Sequence, residues 1–129
     1  MSATEALERM LRAINSHDVG AMLGCFAHDY RCEIPLHPSR SFVGKDHVRQ
    51  NWTGLFRRVP DIEARVLRSV EDGDTLWSEW EMIGTTTDGI DFRIGGVAIL
   101  RVEDDRFGWA RFYLDPVDDE PTNASSRTP

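Results

Sequence analysis

Arg111, Tyr113 and Asp115 alternate in the run Arg111-Phe112-Tyr113-Leu114-Asp115, so on an extended strand the three side chains leave the same face. Glu79 and Glu81 stand in the same relation around Trp80, and Trp77 shares their parity. If both sets turn toward one enclosed space, an arginine lies among carboxylates beneath an aromatic side chain. Burial then drives the carboxylate pKa values apart, so that one group gives a proton and another takes it. His37, in the loop segment Leu36-His37-Pro38, would add a group that moves protons near neutral pH. The competing reading is structural: these charges face water, Arg111 pairs with Glu79 or Glu81 across the sheet, and Phe112, Leu114, Trp80 and Met82 fill the core. Alternation alone does not say which parity faces inward.

The elements that must position these groups follow from periodicity and turn chemistry. Ser2 and Glu5 have capping-box spacing, and Leu7, Met10, Leu11 and Ile14 recur as one apolar stripe, so an amphipathic helix begins the chain. Asn15-Ser16-His17 breaks it; Asp18 caps a shorter helix whose buried side is Met22, Leu23 and Phe26, and His17 and His28 read as turn residues. Tyr30 to Ile34 has strand character and stops at Pro35, and the second proline, Pro38, makes the segment Leu36 to Arg40 a loop able to rim a cavity. A third helix follows Gly44, with Val48, Trp52, Leu55 and Phe56 on one face; His47 near its start reads as a surface or capping residue, and Pro60 ends it. Four extended segments then succeed one another: Ile62 to Val70, Thr75 to Gly84, Ile90 to Val102 and Phe107 to Asp115. Short turns rich in Asp and Gly separate them, which predicts an antiparallel meander with the helices on one face, an α+β arrangement. Gly95-Gly96 inside the third segment predicts a bulge or sharp bend.

With 129 residues the chain suits one domain, read as residues 1–116, followed by a polar tail over 117–129 that has almost nothing to bury. The formal charge of -7 removes the net field that draws nucleic acids or anionic membranes, so neither is an expected partner. No apolar run approaches the roughly 20 residues of a membrane span and the start is polar, unlike a signal peptide, so the expected location is cytoplasmic. Cys25 and Cys32 lack metal-ligand or redox-pair spacing and read as buried thiols. No His, Cys and carboxylate cluster has ligand spacing, and neither a phosphate-cradling glycine loop nor a Gly-x-Ser-x-Gly elbow is present. The expected chemistry uses no cofactor and no metal. Trp52, Trp77, Trp80 and Trp109 are large flat groups suited to a cavity for an apolar or aromatic ligand, to the core, or to an interface.

Asn15-Ser16-His17-Asp18, Cys25-Phe26-Ala27-His28-Asp29-Tyr30, Phe42-Val43-Gly44-Lys45-Asp46, Trp80-Glu81-Met82-Ile83-Gly84-Thr85 and Arg111 to Asp115 together, in this order, resemble the nuclear transport factor 2-like superfamily, in its SnoaL-like, polyketide-cyclase-like branch. The resemblance covers about residues 3 to 116. It implies a cystatin-like cone: a curved, mostly antiparallel sheet wrapped around three helices of the N-terminal half. It also implies a homodimer formed through the outer sheet face. Asp115 matches the aspartate that ends the last strand in the cyclase and epoxide-hydrolase branches, where it serves acid/base chemistry. The epoxide-hydrolase branch pairs an arginine and an aspartate where this chain carries Glu79-Trp80-Glu81, and the steroid isomerases place a base where it carries Ile34.

The expected function is a cofactor-independent acid/base enzyme of cyclase, dehydratase, isomerase or hydrolase type, acting on a small, mostly apolar, oxygenated molecule. Asp115, His37 and Tyr113 are the candidate catalytic residues. Trp52, Phe56, Trp77, Glu79, Glu81 and Arg111 are the candidate binding residues. The alternative is a ligand-binding or dimeric assembly module of the same fold, because a fold does not determine a function.

Overall fold

In a computed structural model the structure describes residues 1–118. Of the expected tail over 117–129, all but Val117 and Asp118 lies outside the described residues.

Helix α1 spans Ala3–Asn15 and starts at the capping box: Ser2 accepts from the Glu5 backbone, and the Glu5 carboxylate accepts from the Ser2 backbone. Its buried side is Ala3, Ala6, Leu7, Met10, Ala13 and Ile14. Asn15 then joins helix to sheet, donating to the Ala64 carbonyl at 3.0 Å and accepting from the Ala64 amide at 2.8 Å. His17 takes the left-handed turn conformation with φ 56°, and its ring lies 2.8 Å from the Ile62 carbonyl, a tie between loop and sheet that turn chemistry alone does not reveal. Helix α2, Val19–Gly24, is capped by Asp18, which accepts from the Ala21 amide at 3.0 Å.

Strand β1 spans Phe26–Glu33, so it opens four residues before Tyr30 and His28 lies in the strand rather than in a turn. Pairing explains the difference: β1 runs parallel to the last strand, Phe26 opposite Phe107, with a register shift before Arg31 that absorbs the Ala-His-Asp segment. A short 3-10 turn at Pro38–Arg40 and strand β2, Phe42–Val43, lead into helix α3, Lys45–Arg58. Strands β3 (Glu63–Asp72), β4 (Thr75–Thr85), β5 (Asp91–Glu103) and β6 (Arg106–Pro116) form the expected meander. The sheet order is β2-β1-β6-β5-β4-β3. The β1–β6 pair is parallel and the others antiparallel, giving a mixed six-stranded sheet that does not close into a barrel. The fold is the α+β cystatin-like, nuclear transport factor 2-like arrangement.

Helix α1 packs on β3, β4 and β5, and α3 packs on β1, all on one face. Tyr30, Phe107, Ile14, Met22, Leu76 and Leu100 fill the space between. The register runs unbroken through Gly95 and Gly96, so no bulge forms there; the shifts fall at Val66/Arg68 and at Arg101/Val102. Gly96 is needed for another reason. Its φ is 142°, and a Cβ there would collide with the Tyr113 carbonyl of the neighbouring strand.

Candidate functional site

The inward parity of the sheet and one face of α3 enclose a cavity of about 310 Å³. Strand β1 contributes Tyr30 and Cys32, with Ile34 just past its end; β4 contributes Trp80 and Met82; β6 contributes Phe112 and Leu114. From α3 come Val48, Asn51, Trp52 and Leu55, spaced so that all four sit on the side turned to the sheet. Arg40 and Phe42, from the connection between β1 and α3, complete the wall. The wall is mostly apolar with a few polar groups, the composition of a small-molecule site. Two larger spaces adjoin it past Met82 and Ile94, an open groove of about 420 Å³ beside Asp61, Glu63, Asp91 and Arg93 and a cavity of about 460 Å³ beside Arg58, Asp91, Arg93 and Asp118, and both are lined by several charged groups.

Aromatic contacts fix the wall. Tyr30 packs at 4.6 Å from Phe26 and edge-on to Phe42 at 6.1 Å, and Phe42 in turn stacks on His47 at 4.3 Å. His47 is thus a stacking partner of the cavity wall as well as an exposed residue. Trp80 donates its indole N–H to the Ser78 hydroxyl at 2.8 Å, and that hydroxyl donates to the Ala98 carbonyl at 2.8 Å. Ser78 is the one buried polar side chain of the core among the described residues, and its two bonds hold the Trp80 ring against the cavity.

Electrostatically the cavity keeps its acids protonated. Burial raises the Tyr30 phenol well above its ordinary range, reinforced by the neighbouring Cys32. Burial likewise pushes the Cys32 thiol up to about 11, against the opposing hydrogen bond from Tyr30. Tyr30, Cys32, Asn51 and Arg40 therefore offer hydrogen-bond donors, while neither a carboxylate nor an imidazole is part of the wall.

The expected site residues fall mainly on the other face. Trp52 lines the cavity. Phe56 stands behind it, packed against Trp52 at 5.6 Å and His17 at 5.3 Å. Arg111, Tyr113 and Asp115 have the parity opposite to Phe112 and Leu114 and face outward, as do Trp77, Glu79 and Glu81 opposite to Trp80 and Met82. There they form cross-strand rows: Trp77–Ile99–Arg111–Glu33, Arg68–Glu79–Val97–Tyr113 and Arg65–Glu81–Gly95–Asp115. The outward charges are paired, as the structural reading holds, with different partners from those expected. Arg68 meets Glu79 at 2.9 Å and Arg65 meets Glu81 at 3.1 Å, while Arg111 reaches Glu33 at 2.7 Å. Glu33 also accepts from the Trp109 indole at 2.7 Å, and these donors, Trp109 first and then Arg111, hold its carboxyl below the usual range. The apolar parity wins the inside because it buries Trp80, Met82, Phe112 and Leu114 together, whereas the other parity would have to desolvate four charged groups, Glu79, Glu81, Arg111 and Asp115.

Asp115 and His37 do meet, Nε2 to Oδ1 at 3.1 Å, with half of the Asp115 side chain exposed. The contact ties the loop between β1 and β2 to the end of β6, outside the cavity. Within that loop Ser41 accepts from the Ile34 amide at 2.9 Å, and the His37 amide donates to the Ile34 carbonyl at 3.0 Å. Asp115 and His37 thus anchor the segment that carries Arg40 to the cavity rim. Ile34, at the position of the isomerase base, presents an apolar side chain to the cavity. Tyr30, Cys32, Arg40 and Asn51 are the polar wall residues that sequence reading missed. The available signal was the parity Leu76, Ser78, Trp80, Met82, which carries no charge, against the parity that holds Glu79 and Glu81; it orients every strand paired to β4.

Comparison with known proteins agrees with this architecture. The family model described as SnoaL-like domain matches residues 7–108. Among solved structures, IdmH from Streptomyces antibioticus, a proposed polyketide cyclase, superposes with a TM-score of 0.77 at 20% identity over 89% of this chain and 93% of that one. An LEH-like epoxide hydrolase from M. tuberculosis gives 0.74 at 19% identity, covering 88% and 82%. A cystatin-fold protein from Novosphingobium aromaticivorans gives 0.70 at 24% identity, covering 86% and 97%. At these identities the likeness is one of fold. No curated protein matches the sequence. With the model match spanning most of the described residues and the same helix and strand order in the solved relatives, the chain belongs to the SnoaL-like domain family.

Proposed function

We propose that the protein holds a small, mostly apolar, oxygenated molecule in the cavity between α3 and the sheet. Its apolar body rests against Trp52, Trp80 and Phe112, and its oxygen faces Tyr30 or Asn51. The observation that carries this reading is the enclosed apolar wall of about 310 Å³ interrupted by a few donors. In a reaction of cyclase or isomerase type, Tyr30, kept neutral by its burial, serves as the donor to an oxygen that gains charge. The wall holds no carboxylate or imidazole among the described residues, so the role these side chains support is to bind and polarise the oxygen.

A thermal-shift series with small ketones, epoxides, steroids and polyketide-like aromatics tests the reading. A ligand at a hundred times its dissociation constant adds about 2.7 kcal/mol of stability and raises Tm measurably. The same compound quenches the fluorescence of Trp52 and Trp80, and Leu114→Trp, which fills the cavity, abolishes both effects. A panel with no shift, or a shift that survives Leu114→Trp in a folded variant, counts against it.

A second reading concerns assembly. Trp77 is 52% exposed on the outer sheet face and Val70, its cross-strand partner, 67% exposed. These large apolar groups support pairing of two copies through that face. Sedimentation of the native protein then gives a dimer and Trp77→Ser a monomer; a native monomer removes the reading.

A further inference from the structure

Resting on the ligand cavity proposed above, we infer that the molecule it takes carries an oxyanion, a carboxylate in the simplest case, at the end that faces the rim, and that Arg40 selects it. Arg40 is the one charged residue in the cavity wall. It is exposed, and among the described residues it has neither an ion-pair partner nor a side-chain hydrogen bond. A second polar wall residue, Asn51, is also exposed and also lacks a side-chain hydrogen bond among the described residues. On the outer face Arg65, Arg68 and Arg111 each meet a carboxylate, whereas Arg31 and Arg93 there have no ion-pair partner among the described residues and line no apolar cavity of this kind.

The backbone that carries the unpaired guanidinium is held in place. Arg40 ends the Pro38–Arg40 turn, whose backbone closes by the Arg40 amide on the His37 carbonyl at 2.9 Å and the Ser41 amide on the Pro38 carbonyl at 3.1 Å. The His37–Asp115 contact at 3.1 Å fastens the same turn to β6. A planar fork of donors carried by a braced turn at an apolar cavity, with an exposed carboxamide also in the wall, matches an amphiphile whose apolar body goes in and whose oxyanion stays at the water boundary. The formal charge of -7 does not oppose this at working ionic strength. Charges beyond a Debye length of about 8 Å are screened, so the guanidinium at the mouth sets the local field.

Two dyes of one skeleton separate this inference from the cavity reading. N-phenyl-1-naphthylamine is neutral, and 8-anilinonaphthalene-1-sulfonate is the same body with an oxyanion. Titrated into the native protein by fluorescence, the anionic dye is expected to bind about three- to tenfold more tightly than the neutral one, as for a partly exposed charge-assisted contact. Arg40→Gln brings the ratio of the two dissociation constants to about one, Arg40→Lys keeps part of the preference, and raising the salt concentration lowers it. If both dyes bind equally, or the preference survives Arg40→Gln, the oxyanion inference is overturned and the cavity reading stands. If neither dye binds, or Leu114→Trp fails to displace them, the cavity reading falls and this inference with it.

Discussion

Single residues carry the sharpest reversals. Asp115 closes the last strand, and its carboxylate lies on the outer face in contact with His37. Its geometry makes it an anchor for the rim loop. Asp115→Asn keeps the shape and one hydrogen-bond acceptor, so a cavity ligand found by thermal shift should lose no more than about threefold in affinity, the effect of a weak exposed pair. A loss of a hundredfold or more in turnover would restore Asp115 to the chemistry. Tyr30 holds the opposite position: fully buried in the wall and invisible to a reading that sought charges. Ser78 shows how one hydroxyl serves a ring. Ser78→Ala leaves the Trp80 indole N–H buried without its acceptor, and denaturant unfolding should report a loss of about 1–3 kcal/mol together with a changed Trp80 emission.

At the scale of elements, helix caps and strand order were legible because their causes are local. Ser2 with Glu5 and Asp18 with Ala21 form the caps that the residue types imply, and the turns around Gly73 and Gly89 set the meander. The start of β1 was not legible, since Ala27, His28 and Asp29 are extended only because β6 lies beside them. Gly95-Gly96 pointed to a special backbone without saying which kind. The cause is close approach: Gly96→Ala places a methyl group against the Tyr113 carbonyl at φ 142°, and a loss of about 1–3 kcal/mol with weakened β5–β6 exchange protection is expected by denaturation and hydrogen exchange. Gly95→Ala, whose new Cβ meets Val117 at 3.3 Å and has an ordinary φ, should cost less.

For the whole molecule, the sheet separates an apolar inner face from an outer face of paired charges. Glu33 joins β1 to β6 across that outer face, where Trp109 and Arg111 lower its pKa from the ordinary 4.5. A carboxyl depressed on folding stabilises the protein fully above its unfolded value, and the contribution fades as pH falls through the lower folded value. The urea midpoint of Glu33→Gln should therefore lie below that of the native protein at pH 7, and the two should converge as the pH drops below 4.5. A constant gap across that range would mean that the ionised carboxyl is not what joins the strands.

The residues alone determined the class of fold and the order of its elements, because capping, periodicity and turn formation act over a few neighbouring positions. Which side of each strand faces the cavity was decided only in three dimensions. A strand offers two equivalent parities, and the choice between them is collective: one set of apolar side chains meets α1 and α3, and the outward Glu33, Glu79 and Glu81 each meet an arginine, in the case of Glu33 one 78 positions away in the chain.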